Sequence, residues 1–112
     1  MNKYTLKEIE ENLGVCFNNP TLLKTALTHS SFANQFKDAE YNERLEFLGD
    51  AVLQLCITEY LFNNFKSKSE GELTKTRSLI VCENSLYEIA RKLHLGEYIR
   101  TVSYTHLTLP TT

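Results

Sequence analysis

Three carboxylates recur at helical spacing in one short segment, Asn42-Glu43-Arg44-Leu45-Glu46-Phe47-Leu48-Gly49-Asp50-Ala51-Val52-Leu53. At about 100° per residue Glu43, Glu46 and Asp50 fall within an arc of roughly 60°, with Gln54 on the same stripe. Glu43 and Asp50 would lie about 10 Å apart along the axis, with Glu46 between them. Hard oxygen ligands on a rigid element suit Mg²⁺, whose octahedron is completed by water and substrate phosphate. The alternative is a solvated acidic face, and geometry alone leaves both readings open. Most of the remaining circumference is apolar: Leu45, Phe47, Leu48, Ala51, Val52, Leu53, Leu55 and Cys56. Such a wide apolar arc predicts a central, buried helix. Beside a core, carboxylates must pair, protonate or hold a cation. Arg44 points about 100° away from Glu43 and is no evident partner.

The other reactive residue types carry weaker signals. His29 could act as a general base, but a role in local structure is the expectation. Lys75 and Arg77, two apart on a helical segment, face different sides, so each is a solvated charge or at most one phosphate contact. Cys16, Cys56 and Cys82 show no paired spacing. They are expected to be reduced thiols packed as small hydrophobes. With His29 and His94 they do not make the clustered four-ligand set of a structural zinc.

The elements that must position these groups read as helices. Thr5 with Glu8 forms a capping-box pattern for a helix to Leu13, and Gly14 stops it. Asn19 and Pro20 open a second helix carrying Leu22, Leu23, Ala26 and Leu27. The polar stretch His29 to Glu40 reads as a connection, and Tyr41 to about Phe65 as one long helix. Ser69 with Glu72 opens a helix over Gly71 to Val81. Ser85 with Glu88 opens the last one, through Leu93, closed by His94 and Gly96. Strand-like alternation is nowhere sustained, so the fold class is all-α.

Residues 102–112, VSYTHLTLPTT, break this pattern: they carry no Lys, Arg, Asp or Glu and are rich in β-branched residues. They resemble the translation of a transposon-end sequencing adaptor; the alternative is a natural β-prone tail. Residues 1–101 are therefore read as one partial domain and 102–112 as a non-native tail, with the native chain expected to continue past Thr101.

A chain of 112 residues holds one small domain. Its 42% hydrophobic and 23% charged residues exclude a disordered or collagen-like chain. No apolar run approaches the roughly 18–20 residues of a membrane span, and the N-terminus lacks a signal-peptide apolar region. A cytoplasmic protein without membrane contact is expected. The net charge of −2 excludes phosphate binding by bulk charge, so any nucleic acid must be held by local features or another domain.

The segment Asn42 to Leu53 resembles the signature of the ribonuclease III family. Leu27-Thr28-His29-Ser30-Ser31 is similar to the family's upstream segment, Glu70 to Val81 to its second block, and Asn84 to Gly96 to the helix that follows. The resemblance covers essentially residues 1–101. It implies the all-α ribonuclease III endonuclease fold, incomplete here at the C-terminal side. It implies a double-stranded-RNA-specific endoribonuclease: Mg²⁺-dependent hydrolysis leaving 5′-phosphate and 3′-hydroxyl ends, in the processing of ribosomal and other RNA precursors. Mn²⁺ is the alternative ion. Position by position, Glu46 matches a metal ligand, and Asp50 matches the catalytic residue, also bound to metal. Glu43 and Glu70 match accessory acids. Phe47 matches a side chain inserted into the second subunit of a homodimer, although periodicity alone reads it as core.

The family's site is completed by an Asp and a Glu three residues later on a downstream helix. This chain has only Asp38 and Asp50, so that pair is absent, and the fragment alone is expected to be inactive. Phe32, Phe36, Tyr41, Tyr60, Phe62 and Phe65 are expected in core and interface, because A-form duplexes are read by shape and backbone rather than by stacking. Two other readings stand beside this one: the shorter Mini-ribonuclease III, which matures ribosomal RNA, and a non-catalytic RNA-binding or structural relative.

Overall fold

Local capping chemistry determines where most of the helices begin. The computed structural model describes residues 4–35 and 40–100. Helix α1 spans Leu6–Leu13. The Thr5 hydroxyl accepts the Glu8 N–H at 3.1 Å, and the Glu8 carboxylate accepts the Thr5 N–H at 2.9 Å. Gly14 ends the helix at φ 74°, a left-handed conformation that glycine adopts without steric cost. Helix α2, Pro20–Ala26, starts where Asn19 Oδ1 accepts the Thr21 N–H at 3.0 Å.

The stretch expected to be a plain connection contains a short helix, α3, Ser30–Gln35. His29 accounts for it: its Nδ1 accepts the Ser31 N–H at 3.1 Å, an imidazole doing the work of a cap. Helix α4 covers Glu43–Asn64, 22 residues, and α5 covers Glu70–Ile80 behind a complete Ser69/Glu72 capping box. Helix α6, Glu83–Lys92, starts ahead of the expected Ser85, with Cys82 at its N-cap. Ser85 is otherwise engaged, its hydroxyl donating to the Leu79 carbonyl at 2.9 Å across the α5–α6 corner. His94 at φ 59° takes the left-handed turn after α6, while Gly96 lies inside the short α7, Leu95–Tyr98. No strand occurs among the described residues, only one isolated parallel bridge between Thr28 and Arg100.

The buried apolar side chains are Ile9, Leu23, Phe32, Leu61 and Tyr98, and Thr28 is fully buried beside them. The Tyr4 ring meets Tyr98 edge-on at 5.1 Å, and the Asn12 amide donates to the Tyr98 hydroxyl at 3.0 Å. Ile9, Leu23, Phe32 and Tyr98 lie where α1, α2, α3 and α7 come together, whereas Leu61 is on α4 beside α5. Helix α4 extends away from that junction and packs on α5, where Arg77 Nη1 donates to Thr58 Oγ1 at 2.8 Å.

Three sequence expectations are corrected here. The long helix is central in the chain but not buried: of its residues only Leu61 is buried, and Phe47, Leu48, Val52, Leu55, Tyr60 and Phe62 are exposed. A wide apolar arc needs neighbours on every side, and among the described residues α4 has them on only part of its circumference. All three cysteines are exposed rather than packed. Of the aromatics expected in core and interface, Phe32 is in the core, whereas Tyr41, Tyr60, Phe62 and Phe65 are exposed and take no part in it. Phe36 and residues 102–112 lie outside the described residues. Among the described residues no helix is long and apolar enough to cross a membrane.

Candidate active site

The acidic stripe depends first on how α4 begins. Asn42 occupies the N-cap but makes no side-chain bond to its own helix. Its Nδ2 donates instead to the Ala26 carbonyl at the end of α2, at 3.1 Å. Its backbone N–H donates to the Thr28 carbonyl at 3.0 Å, and its own carbonyl accepts the Glu46 N–H at 2.7 Å.

Thr28 is held in turn by Arg100, whose Nε and Nη2 donate to Thr28 Oγ1 at 3.0 and 2.7 Å. The Arg100 guanidinium lies 4.4 Å over the Phe32 ring, and burial draws its pKa below the ordinary arginine value. The Arg100 N–H donates to the Leu27 carbonyl at 2.6 Å, and the Arg100 carbonyl accepts the His29 N–H at 2.9 Å.

From that anchor Glu43, Glu46 and Asp50 project from successive turns of α4, all exposed. Glu43 and Phe47 border one open groove of about 990 Å³ with Leu22, Tyr41 and Leu48. Glu46 borders a separate cleft of about 210 Å³ with Ala26, Asn42 and Leu45. Glu70, at the first position of α5, borders a third, of about 380 Å³, beside Phe62 and Arg77. Glu43, Glu46 and Glu70 therefore line different depressions, and no group of three or more His, Cys, Asp or Glu side chains converges among the described residues.

The donor set still suits Mg²⁺. Glu46 and Asp50 are one turn apart, roughly 6 Å between Cβ atoms, and both face water. Mg²⁺ characteristically keeps several waters and takes one or two carboxylates. These carboxylates are exposed rather than set against a core, so burial does not force them to pair, protonate or hold a cation.

His29 serves as a helix cap, in keeping with the structural role expected of it. Arg77 is not a free charge, because Thr58 accepts from it. Sequence reasoning assigned nothing to Asn42, Thr28 or Arg100. The signal available was Asn42 itself, a strong N-cap type standing directly before the stripe. The pairing of positions 28 and 100 is too distant in sequence to leave a local trace.

Comparison with known proteins places this arrangement. The family profile described as Ribonuclease-III-like matches residues 19–108. A Ribonuclease 3 of Clostridium beijerinckii is 87% identical over 100 residues, covering 89% of this chain and 43% of the relative. A Ribonuclease 3 of Clostridium perfringens is 62% identical over 108 residues, covering 96% of this chain and 46% of that protein. The chain thus spans a little under half the length of these curated relatives. Among solved structures, the nuclease domain of a Campylobacter jejuni ribonuclease III superposes with a TM-score of 0.77 at 44% identity, covering 89% of this chain and 67% of that one. That structure was described for flexibility in a region involved in dimer formation.

Proposed function

The chain belongs to the ribonuclease III family, and from that premise we propose that it forms the catalytic part of a double-strand-specific endoribonuclease working in the cytoplasm. The observation that carries this reading is the exposed stripe Glu43, Glu46 and Asp50 on α4. A duplex presents its scissile phosphates along a broad, stiff surface, and only carboxylates standing free of the core can reach them.

Glu46 and Asp50 would hold Mg²⁺, with Mn²⁺ as the alternative ion. When bound, the ion supplies Lewis-acid stabilisation of the charge that builds on the phosphate oxygens. The chain's own contribution is placement. A long helix fixed at its start holds both carboxylates in register, and Glu43 and Glu70 add negative charge at neighbouring depressions. Phe47, 84% exposed beside the groove of Leu22, Tyr41 and Leu48, suits insertion into a second copy of the chain. The net charge of −2 supports a division of labour in which most of the RNA affinity resides elsewhere in the protein. In this reading residues 1–101 are endonuclease-domain sequence and residues 102–112 lie outside it.

The test is Asp50→Asn in the full-length protein. Cleavage of long duplex RNA in Mg²⁺ is expected to be lost, with duplex binding nearly unchanged. Cutting at the parental rate would remove Asp50 from the catalytic role.

A further inference from the structure

Asn42 is a strong N-cap residue type whose side chain does not cap its own helix. Its Oδ1, the atom that would ordinarily accept from the first turn of α4, makes no such bond, while its Nδ2 donates to the Ala26 carbonyl. That carbonyl belongs to the last residue of α2, one of the groups a helix C-terminus leaves without an intrahelical partner. The same residue receives α4 through its own carbonyl, bonded to the Glu46 N–H at 2.7 Å, and is tied to Thr28 through its N–H at 3.0 Å. Asn42 and Ala26 line the cleft of about 210 Å³ that Glu46 borders. The wall of that cleft is thus the cross-link itself.

We propose that Asn42 is a positioning residue: by bridging the end of α2 to the first turn of α4 it fixes the direction in which Glu46 projects. The proposal rests on the endoribonuclease reading above and extends it to a residue that touches neither metal nor substrate. Productive metal–phosphate geometry tolerates only about 0.5 Å and 10–20° of error, so a helix free to rotate at its first turn would misplace Glu46. The other end of the bridge does not yield. Thr28 is fully buried, its hydroxyl accepts from the Arg100 guanidinium, and its neighbours Leu27 and His29 bond the Arg100 backbone.

Capping and bridging predict opposite outcomes for two substitutions. Asn42→Ser and Asn42→Asp both keep an excellent N-cap, and neither can donate to the Ala26 carbonyl as the amide does. In the full-length protein both variants are expected to keep helicity and the KM for duplex RNA. Their kcat should fall at least tenfold, and the Mg²⁺ concentration for half-maximal rate should rise. Amide hydrogen exchange at Glu46 should quicken while that at Leu55 stays unchanged. If Ser and Asp cut at the parental rate and only Asn42→Ala is impaired, Asn42 is a cap and the proposal is overturned. Global unfolding of both variants overturns it as well, because the role is then purely structural. A parental protein that does not cut duplex RNA overturns the function itself, whereas an active parent with equally active variants removes only the role of Asn42.

Discussion

The single hydroxyl of Thr28 ties the end of α2 to Arg100. It accepts from Arg100 Nε and Nη2 at 3.0 and 2.7 Å and donates to the Lys24 carbonyl at 2.6 Å. No water reaches it, since Thr28 is fully buried. Replacing it by Val keeps the shape but leaves two guanidinium donors and a carbonyl without their partner. An unsatisfied buried polar group costs about 1–3 kcal/mol. Thr28→Ser keeps the hydroxyl and loses one methyl group, about 0.8 kcal/mol. Urea denaturation is therefore expected to place Thr28→Val clearly below Thr28→Ser. Equal midpoints would mean that packing of the methyl group, and not the hydroxyl, holds the segment. Arg100 remains a cation, as arginine does in proteins generally. Its flat guanidinium bonds Thr28 and stacks on Phe32 at once, which a lysine ammonium could not do.

At the scale of elements, α5, like α1, opens on a complete reciprocal cap. The Ser69 hydroxyl accepts the Glu72 N–H at 3.2 Å and the Glu72 carboxylate accepts the Ser69 N–H at 2.9 Å. Ser69→Ala is expected to cost about 1 kcal/mol, read as a lower thermal midpoint. The Glu72 carboxyl is held below its ordinary value, first by the Ser69 N–H and then by Lys68. For a carboxyl with a depressed folded pKa, the stabilisation is full above the ordinary value of 4.5 and is lost as pH falls through the folded value. Exchange protection in the first turn of α5 should therefore decline on acidification below that point, and Glu72→Gln should flatten the decline. An unchanged profile in Glu72→Gln would assign the acid sensitivity to another group. Caps of this kind were legible in the sequence because donor and acceptor lie three residues apart: Thr5/Glu8, Asn19 and Ser69/Glu72 stand where their types implied. Helix α3 was missed because its cap is the imidazole of His29, outside the usual capping set. The start of α6 was misplaced because Ser85 bonds back to Leu79 rather than forward. The stripe of Glu43, Glu46 and Asp50 was legible from periodicity. Its exposure was not, because periodicity reports which residues share a face and not what covers that face. The Thr28–Arg100–Asn42 anchor joins three separate segments, so it became visible only in three dimensions.

At the scale of the whole molecule, the balance of apolar surface governs behaviour. Among the described residues five hydrophobic side chains are buried, while fifteen large ones are exposed, several of them on α4. Monomeric proteins rarely expose contiguous apolar patches beyond a few hundred Å². A chain with this balance is expected to cover its surface by association. The 112-residue chain on its own should bind a hydrophobic dye strongly and sediment as a mixture that shifts with concentration. Phe47 is the most exposed of these side chains, at 84%, and contributes little to the packing of its own chain. Fully burying a Phe contributes roughly 1.5–3 kcal/mol, which corresponds to about 10- to 150-fold in an association constant for each copy buried. Phe47→Ala should therefore weaken self-association by at least tenfold in sedimentation velocity while far-UV helicity stays constant. Loss of helicity in the variant would return Phe47 to the fold, and unchanged association at every concentration would remove it from the interface.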